Sequence, residues 1–409
     1  MTPPTPGAPP AGREDSGPAT AGALLLLMSL TALGQMATNI VVPSLNTIAV
    51  EMGLGAGSAG VIMSAVLAGL AFGQLVVGPV SDRVGRRPVL LAGLVLYVLA
   101  SLAATFATHG AMLLVARLMQ GLGASAGLAL PRAIARDRYV GDHFLRAMSL
   151  LTLAMAVMPG LAPIMGGAIA GSSSWRAALA VSVAAGLAAL VATLWALPET
   201  HRNRTGGGVA AVLGGYRTVL GNRPFLLYTL IPGAAFGGAY VEVAGAQALF
   251  GGLFGWSPVQ LSLATACYPM GFLVGGLLAP RLGMGFHRRI QAGIALMLLG
   301  AVLFLGLTTS GLLTAFGAIG CVVLSQVGVG FMGPPAIGLA LLSVKGAAGT
   351  ASAVMGAIHM VIGAGGAAMV GAIAMPVAWS MPLIMLGFAM VAVLCQLLAG
   401  RPPDAPGGE

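Results

Sequence analysis

The chain consists almost end to end of apolar segments, each long enough to cross a membrane as a helix. Spanning the hydrocarbon layer takes about 20 apolar residues. Of the 409 residues, 58% are hydrophobic, while only 19 are basic and 10 are acidic. So few charged side chains cannot cover the surface of a soluble protein of this size. The sequence therefore predicts an all-α membrane protein with twelve transmembrane helices.

The polar connections divide these helices into two sets of six. Residues 198–224, the longest connection, are predicted to be a flexible cytoplasmic linker between an N-terminal half, 21–197, and a C-terminal half, 225–400. Proline-rich residues 1–20 are predicted to be a disordered cytoplasmic tail, and residues 401–409 a second cytoplasmic tail. The helices are predicted at 22–47, 58–80, 89–107, 111–133, 147–170, 177–197, 225–248, 258–280, 290–309, 312–334, 351–375 and 382–400.

The basic residues lie mainly on one side of the predicted bundle. Arg176 falls in a loop on the other side, Arg117 and Arg132 fall within a helix, and the rest lie in tails or loops of one face. Cytoplasmic loops carry an excess of arginine and lysine, so this asymmetry predicts a multi-pass protein of the cytoplasmic membrane with both termini in the cytoplasm. It also explains the net charge of +9 without a nucleic-acid partner.

The loop between the second and third predicted helices contains a specific motif. Residues 78–87 read GPVSDRVGRR. The spacing of the two glycines, the acid and the basic pair resembles the signature loop of the major facilitator superfamily. This resemblance implies the major facilitator fold, in which two six-helix halves are related along the membrane normal. It also implies a central cavity lined by helices 1, 4, 7 and 10, with transport by alternating access.

An internal repeat supports two related halves. A shift of 198 positions aligns Gly73 with Gly271, Gly78 with Gly276, Arg83 with Arg281 and Gly85 with Gly283. Pro280 stands at the position that corresponds to Asp82, so the second copy of the loop lacks the acid.

Further stretches resemble one branch of this superfamily. Residues 117–124, RLMQGLGA, resemble a fourth-helix signature, and residues 132–137, RAIARD, resemble the end of that helix in bacterial drug exporters. Residues 349–356, GTASAVMG, resemble the eleventh helix of the bicyclomycin- and chloramphenicol-resistance type of drug:proton antiporter. A fifth-helix motif of antiporters is resembled by Pro159, Gly160, Pro163, Gly166 and Gly167. Together these stretches imply proton-coupled export of amphipathic small molecules or drugs.

Charged residues within the spans are candidates for coupling proton movement to substrate transport, because placing a charge in lipid costs about 3 kcal/mol or more. Glu242 is the only acid within a predicted span. Arg117 and Asn39 lie at a similar depth, so the three side chains are predicted to share one layer of the cavity, with Glu242 as counter-charge to Arg117. Relatives often have an acid at the position of Asn39, and its absence moves the expected proton site to Glu242. The alternatives are that Glu242 snorkels at the outer end of its helix and that Arg117 only packs against carbonyls.

Three further polar residues lie inside the spans. His359 is the only histidine deep in a span, and its ring is a candidate proton relay. A simple hydrogen bond between His359 and a neighbouring helix is the alternative. Ser325 and Gln326 are candidates for hydrogen bonds to a ligand.

The signature loop is predicted to form a cytoplasmic gate, whose residues are Asp82, Arg83, Gly85, Arg86, Arg87 and Asp137. Asp82 is expected to accept hydrogen bonds from the start of helix 11, near Gly349 and Thr350, because exposed amides favour a carboxylate there. Arg83 or Arg86 is expected to pair with Asp137. These contacts are expected to hold the outward-open state and to break as the halves move.

Two other functions remain as alternatives. A facilitator or symporter for a sugar or metabolite would use the same fold. An intramembrane serine hydrolase would use Ser125 and His359, although a nucleophile elbow requires a strand-to-helix turn and Ser125 lies inside an apolar helix. The only lysine, Lys345, does not fit a phosphate-binding loop, which excludes ATP-driven transport. We predict a monomeric transporter rather than an enzyme, with a drug-like molecule, protons and lipid as partners and with no cofactor, metal or nucleic acid.

Overall fold

The computed structural model describes residues 21–55, 58–139, 141–200, 209–344 and 348–400. Within these ranges, twelve helices are long and apolar enough to cross a membrane, judged by length and composition. The predicted tails, 1–20 and 401–409, and residues 201–208 of the predicted linker lie outside the described residues.

The spanning helices of the first half are α1 (Ala21–Asn39), α2 (Ala59–Val84), α3 (Arg86–Thr105), α4 (Gly110–Arg138), α5 (Gly141–Ser172) and α6 (Trp175–Ala196). Those of the second half are α7 (Arg223–Ala246), α8 (Pro258–Arg281), α9 (Phe286–Thr309), α10 (Ala315–Leu342), α11 (Ala348–Ala372) and α12 (Val377–Ala399). The helical architecture and the number of spans agree with the prediction from sequence.

The sequence predicts one continuous helix for the first span, but the structure has a break there. Helix α1 ends at Asn39, a 3-10 turn covers Val42–Ser44, and a short helix follows at Leu45–Glu51. Pro43 explains the break, because proline has no N–H and its ring clashes with the preceding turn of an α-helix. At the other half, a π-helical segment, Gln247–Leu253, continues α7 beyond its predicted end.

The predicted end of the tenth helix, at a proline, is too early. Helix α10 passes through Pro334 and Pro335 and continues to Leu342, whereas the prediction stopped it at residue 334. In a membrane bundle, neighbouring helices and local adjustments satisfy the backbone groups that a proline frees. A proline is therefore a weaker stop signal here than in a soluble protein.

The predicted flexible linker contains a helix, Val209–Leu220. Apolar residues recur along it at helical spacing, a pattern that predicts an amphipathic helix and that the prediction overlooked. The hydroxyl of Tyr216 in this helix donates a hydrogen bond to the carbonyl of Leu75 at 2.5 Å. The connection is therefore attached to α2 of the first half.

Small residues allow the helices of each half to approach closely. A side chain at Gly121 of α4 would collide with the Val66 carbonyl of α2. Small residues at helix contacts are the usual means of association where lipid is as apolar as the side chains.

The most extensive contacts between the two halves are those of α2 with α11 and of α5 with α8. We call the side of the bundle that carries the loop between α2 and α3 the arginine-rich side, and the other the opposite side. Near the opposite side, Ser64 donates a hydrogen bond to the Ala364 carbonyl at 2.6 Å. There the Asn46 N–H also donates to Gln247 Oε1 at 2.7 Å. The structure is thus closed between the halves on the opposite side.

Candidate functional site

Glu242 lies in the middle of a polar cluster inside the second half. It is 1% exposed, and Gln326 Nε2 of α10 donates to its Oε2 at 2.5 Å. The Ser325 side chain also reaches the carboxylate, and Tyr268 of α8 lies close enough to interact with it electrostatically. The Tyr268 hydroxyl is buried and has no hydrogen-bond partner among the described residues. Glu242 therefore faces neutral polar groups within the protein and does not snorkel to the surface.

Arg117 occupies a separate polar cluster in the first half. It is 1% exposed and donates a hydrogen bond to Gln120 Oε1, while Gln120 Nε2 donates to Ser101 Oγ at 2.7 Å. Tyr97 of α3 lies beside the same group. Nε and Nη2 of Arg117 have no partner among the described residues.

The predicted pairing of Arg117 with Glu242 is wrong for this structure. No ion pair joins them among the described residues, because Arg117 turns toward α3 and Glu242 toward α10. Sequence gives the depth of a residue along its helix, but a similar depth does not fix the direction in which a side chain points.

Asn39 lies at the end of α1 and is bonded within its own helix. Its Nδ2 donates to the Gln35 carbonyl at 2.9 Å and to Thr38 Oγ1 at 2.7 Å. The neighbouring Thr38 hydroxyl meets the Tyr240 hydroxyl of α7. Asn39 therefore lies next to a contact between the halves, and no hydrogen bond among the described residues joins it to Glu242 or Arg117.

His359 of α11 is buried and bonded to a neighbouring helix. Its Nε2 donates to the Thr229 carbonyl of α7 at 3.1 Å, and its ring stacks on Phe236 with centroids 5.0 Å apart. This geometry agrees with the alternative in which His359 forms a simple hydrogen bond to a neighbouring helix.

The hydrolase alternative does not fit the positions of its two residues. Ser125 is fully buried and donates to the Leu122 carbonyl of its own helix at 2.7 Å. His359 lies in the second half and is bonded there to the Thr229 carbonyl, and among the described residues no hydrogen bond joins the Ser125 and His359 side chains. A nucleophile and its base must be within hydrogen-bond reach, so this pair is not a hydrolytic site.

On the arginine-rich side, Arg86 is the centre of the predicted gate. Its Nη1 lies 2.5 Å from Asp82 Oδ1 and donates to Ser81 Oγ at 2.6 Å, and its Nε donates to Asp137 Oδ2 at 3.1 Å. The pairing of Arg86 with Asp137 is one of the two pairings that the sequence predicts. Arg83 is half-buried in the last turn of α2.

A carboxylate that the sequence analysis did not single out completes this loop. Glu199, just after α6, accepts the backbone N–H groups of Arg86 at 3.0 Å and Arg87 at 3.2 Å. These are the first two amides of α3, where a negative charge is favoured by the unpaired N–H groups and the helix dipole. Gly85 adopts a φ of +117° directly before them, a conformation that side chains disfavour. Arg87 Nη2 donates to the Leu194 carbonyl at the end of α6 at 2.8 Å.

The expected contact between Asp82 and the start of α11 is not present. Asp82 pairs with Arg86 in its own half, and no hydrogen bond links it to Gly349 or Thr350 among the described residues. The expectation concerned a state closed on the arginine-rich side, whereas the contacts between the halves described above are on the opposite side. It remains a prediction for the other state.

The fifth-helix motif lies where the halves meet. A side chain at Gly166 would collide with the Ile40 carbonyl, directly after α1, and one at Gly167 with Ser262 of α8. A Cβ at Gly160 would come within 3.3 Å of Pro269 of α8. Pro159 and Pro163 lie inside the same helix. The glycines of the motif thus allow α5 to pack closely against α8 and against the residue that follows α1.

The described residues thus form a multi-pass helical membrane protein of two six-helix halves. Residues 24–368 match the Major Facilitator Superfamily, and the chain belongs to this family.

Several bacterial proteins named for drug resistance are similar to the chain over most of its length. Multidrug resistance protein D of Escherichia coli K12 is 30% identical, covering 91% of this chain and 94% of that protein. A bicyclomycin resistance protein homolog of Haemophilus influenzae is 27% identical over 91% and 94%. A chloramphenicol resistance protein of Pseudomonas aeruginosa is 30% identical over 82% and 80%. The resemblance stated from the motifs is confirmed.

The fold is also similar to a solved structure. The xylose transporter XylE from E. coli, in a partially occluded inward-open conformation, aligns with a TM-score of 0.71 at 14% identity, covering 92% of this chain and 96% of that one. At this identity the likeness concerns the fold alone, and it confirms the predicted fold class.

Proposed function

We propose that this protein exports amphipathic small molecules, drugs among them, across the cytoplasmic membrane in exchange for protons. The observation that supports the proposal most directly is Glu242, a buried carboxyl group between α7 and α10 that forms no ion pair with any of the described residues. The names of the drug-resistance relatives support the substrate class. The proposal describes a transporter and not an enzyme, and it needs no cofactor.

The polar cluster suggests how proton binding acts on the fold. In its anionic form Glu242 accepts the hydrogen bond from Gln326. An anion in the protein interior without a positive partner is costly, so binding of a proton by Glu242 is favourable in this state. Protonation removes the charge that holds the Gln326 amide, and this loosens the contact between α7 and α10. Because these two helices line the cavity in the superfamily, loosening them changes the site that a substrate occupies.

The loop around Arg86 is proposed to guide the motion between states. Arg86 bonds to α2, through Ser81 and Asp82, and to α4, through Asp137. Asp82 is then available to bind the start of α11 when the halves close on the arginine-rich side. Exchange of partners by one carboxylate is a small step that selects one of two packed arrangements.

The arginine-rich side is proposed to face the cytoplasm, with both termini on that side, because of the positive-inside bias. The protein is proposed to act as a monomer in the lipid bilayer. Sugar uptake is not proposed, because the likeness to the xylose transporter, at 14% identity, concerns the fold alone.

Drug tolerance tests this proposal. Expression in a bacterial host without its main efflux pumps is expected to raise tolerance to several amphipathic drugs, and an uncoupler that collapses the proton gradient is expected to restore drug accumulation. Cells with the empty vector and cells with Glu242→Gln at equal membrane abundance serve as controls. Unchanged tolerance to a broad panel of drugs in cells with verified membrane expression would contradict export.

A further inference from the structure

Arg132 is a charged residue within a span that the proposed mechanism does not use. It lies six residues from the end of α4, which places it about 9 Å from the arginine-rich end of the helix. Its side chain is exposed at the protein surface, although protein surrounds it on most sides. Ionisable side chains at such depth face the bundle interior or a water-filled cavity. Arg132 therefore lines water-accessible space inside the bundle.

The guanidinium of Arg132 has little to bind within the protein. Among the described residues, its hydrogen-bond partner is the Met155 sulfur of α5, and a thioether is a weak acceptor. The ion pairs of the described residues involve Arg86 and Arg176. Glu242 is buried in the second half, where it accepts a hydrogen bond from the Gln326 amide. Most of the five N–H donors of this guanidinium are thus left to water or to a ligand.

The other arginine within the spans lies in different surroundings. Arg117 is fully buried and bonded to the Gln120 side chain, so a ligand in the cavity does not reach it. Of the two, Arg132 alone combines exposure with the lack of an oxygen acceptor among the described residues. A guanidinium matches the planar, two-oxygen geometry of a carboxylate or sulfonate, while the Met155 side chain offers an adaptable apolar surface beside it.

We propose that Arg132 binds the anionic group of amphipathic substrates, a carboxylate or sulfonate, and so makes the exporter prefer anionic over cationic molecules of the same shape. The proposal rests on the proposed export function and adds a substrate class to it. Arg132 acts by direct contact with the substrate, on the arginine-rich side of the buried Glu242 cluster.

Binding to three fluorescent probes of matched apolar body tests this inference. The probes are dansylglycine, which is anionic, dansylamide, which is neutral, and dansylcadaverine, which is cationic. Fluorescence titration of the purified full-length protein in lipid nanodiscs, at constant ionic strength, gives the three dissociation constants. We expect wild type to bind the anion about tenfold or more tightly than the cation, the size of one charge-assisted hydrogen bond.

Variants separate a binding role from a general effect of charge. Arg132→Gln is expected to lose the preference for the anion while binding dansylamide as before, and Arg132→Lys is expected to keep most of it. Arg288→Gln removes the same charge from an exposed arginine in the first turn of α9 and is expected to change nothing.

The outcomes decide between the two proposals. Wild-type binding of all three probes without preference for the anion, or a preference that survives Arg132→Gln, would overturn the role of Arg132 and leave export standing. Failure of folded wild type to bind any of the probes would count against both.

Discussion

Loss of the Glu199 carboxylate should weaken the attachment of α3 to the rest of the first half. Glu199 accepts two backbone hydrogen bonds, at 3.0 and 3.2 Å, from the first amides of α3. Removing a side-chain acceptor at a helix N-terminus costs about 1 kcal/mol, and its charge next to the helix dipole adds about 0.3–1 kcal/mol. Glu199→Ala is therefore expected to lower the free energy of unfolding by about 1–2 kcal/mol.

Denaturant titration of the purified protein in detergent, followed by intrinsic fluorescence, measures this loss. Glu199→Gln keeps an acceptor oxygen but not the charge, so it should show roughly half of the effect. The neighbouring Thr200 has a buried hydroxyl without a partner among the described residues, and Thr200→Val is a control that should not lower stability. Equal stability of Glu199→Ala and wild type would refute the assignment of Glu199 as the cap of α3.

Two other variants test the contacts between and within the halves. Asp82→Asn should insert and fold, because Arg86 keeps its other partners. It should transport more slowly, because the start of α11 loses its charged acceptor when the halves close on the arginine-rich side. Transport at the wild-type rate would contradict the proposed gate. Gly166→Val should destabilise the protein by about 1–3 kcal/mol through overpacking against the Ile40 carbonyl. Gly171→Ala should be tolerated, because the nearest neighbour of the added Cβ would lie at 3.8 Å. Equal stability of the two variants would contradict the packing role of the fifth-helix motif.

The number of spans and the fold class could be predicted from sequence because both follow from local signals. Runs of about 20 apolar residues set the helices, and the GPVSDRVGRR loop has a spacing that is specific to one superfamily. The break at Pro43 and the helix at Val209–Leu220 were missed, although both had signals. The prediction continued the first helix past Pro43. At Val209–Leu220, the glycines directly before the helix favoured a flexible linker over the helical spacing of the apolar residues.

The site could be predicted only in part. Glu242 stood out because it is the one acid within a predicted span, and Gln326 was named as a candidate for a ligand rather than for the carboxylate it meets. The pairing of Arg117 with Glu242 failed because depth along a helix does not give the direction of a side chain. Glu199 and Arg86 are 113 residues apart, and no local pattern links a carboxylate to a helix end at such a distance.

Uphill transport by Glu242→Gln is the most direct test of proton coupling through this carboxyl group. The variant keeps the shape of the side chain and an oxygen for the Gln326 amide, but it cannot bind or release the proton. The protein is reconstituted into proteoliposomes, and movement of a drug to which it gives tolerance is measured with and without an imposed pH gradient. His359→Gln, which can still donate to the Thr229 carbonyl, serves as the control. Glu242→Gln should move the drug downhill but fail to concentrate it, while His359→Gln should concentrate it as wild type does. Concentration of the drug by Glu242→Gln with unchanged pH dependence would contradict the account.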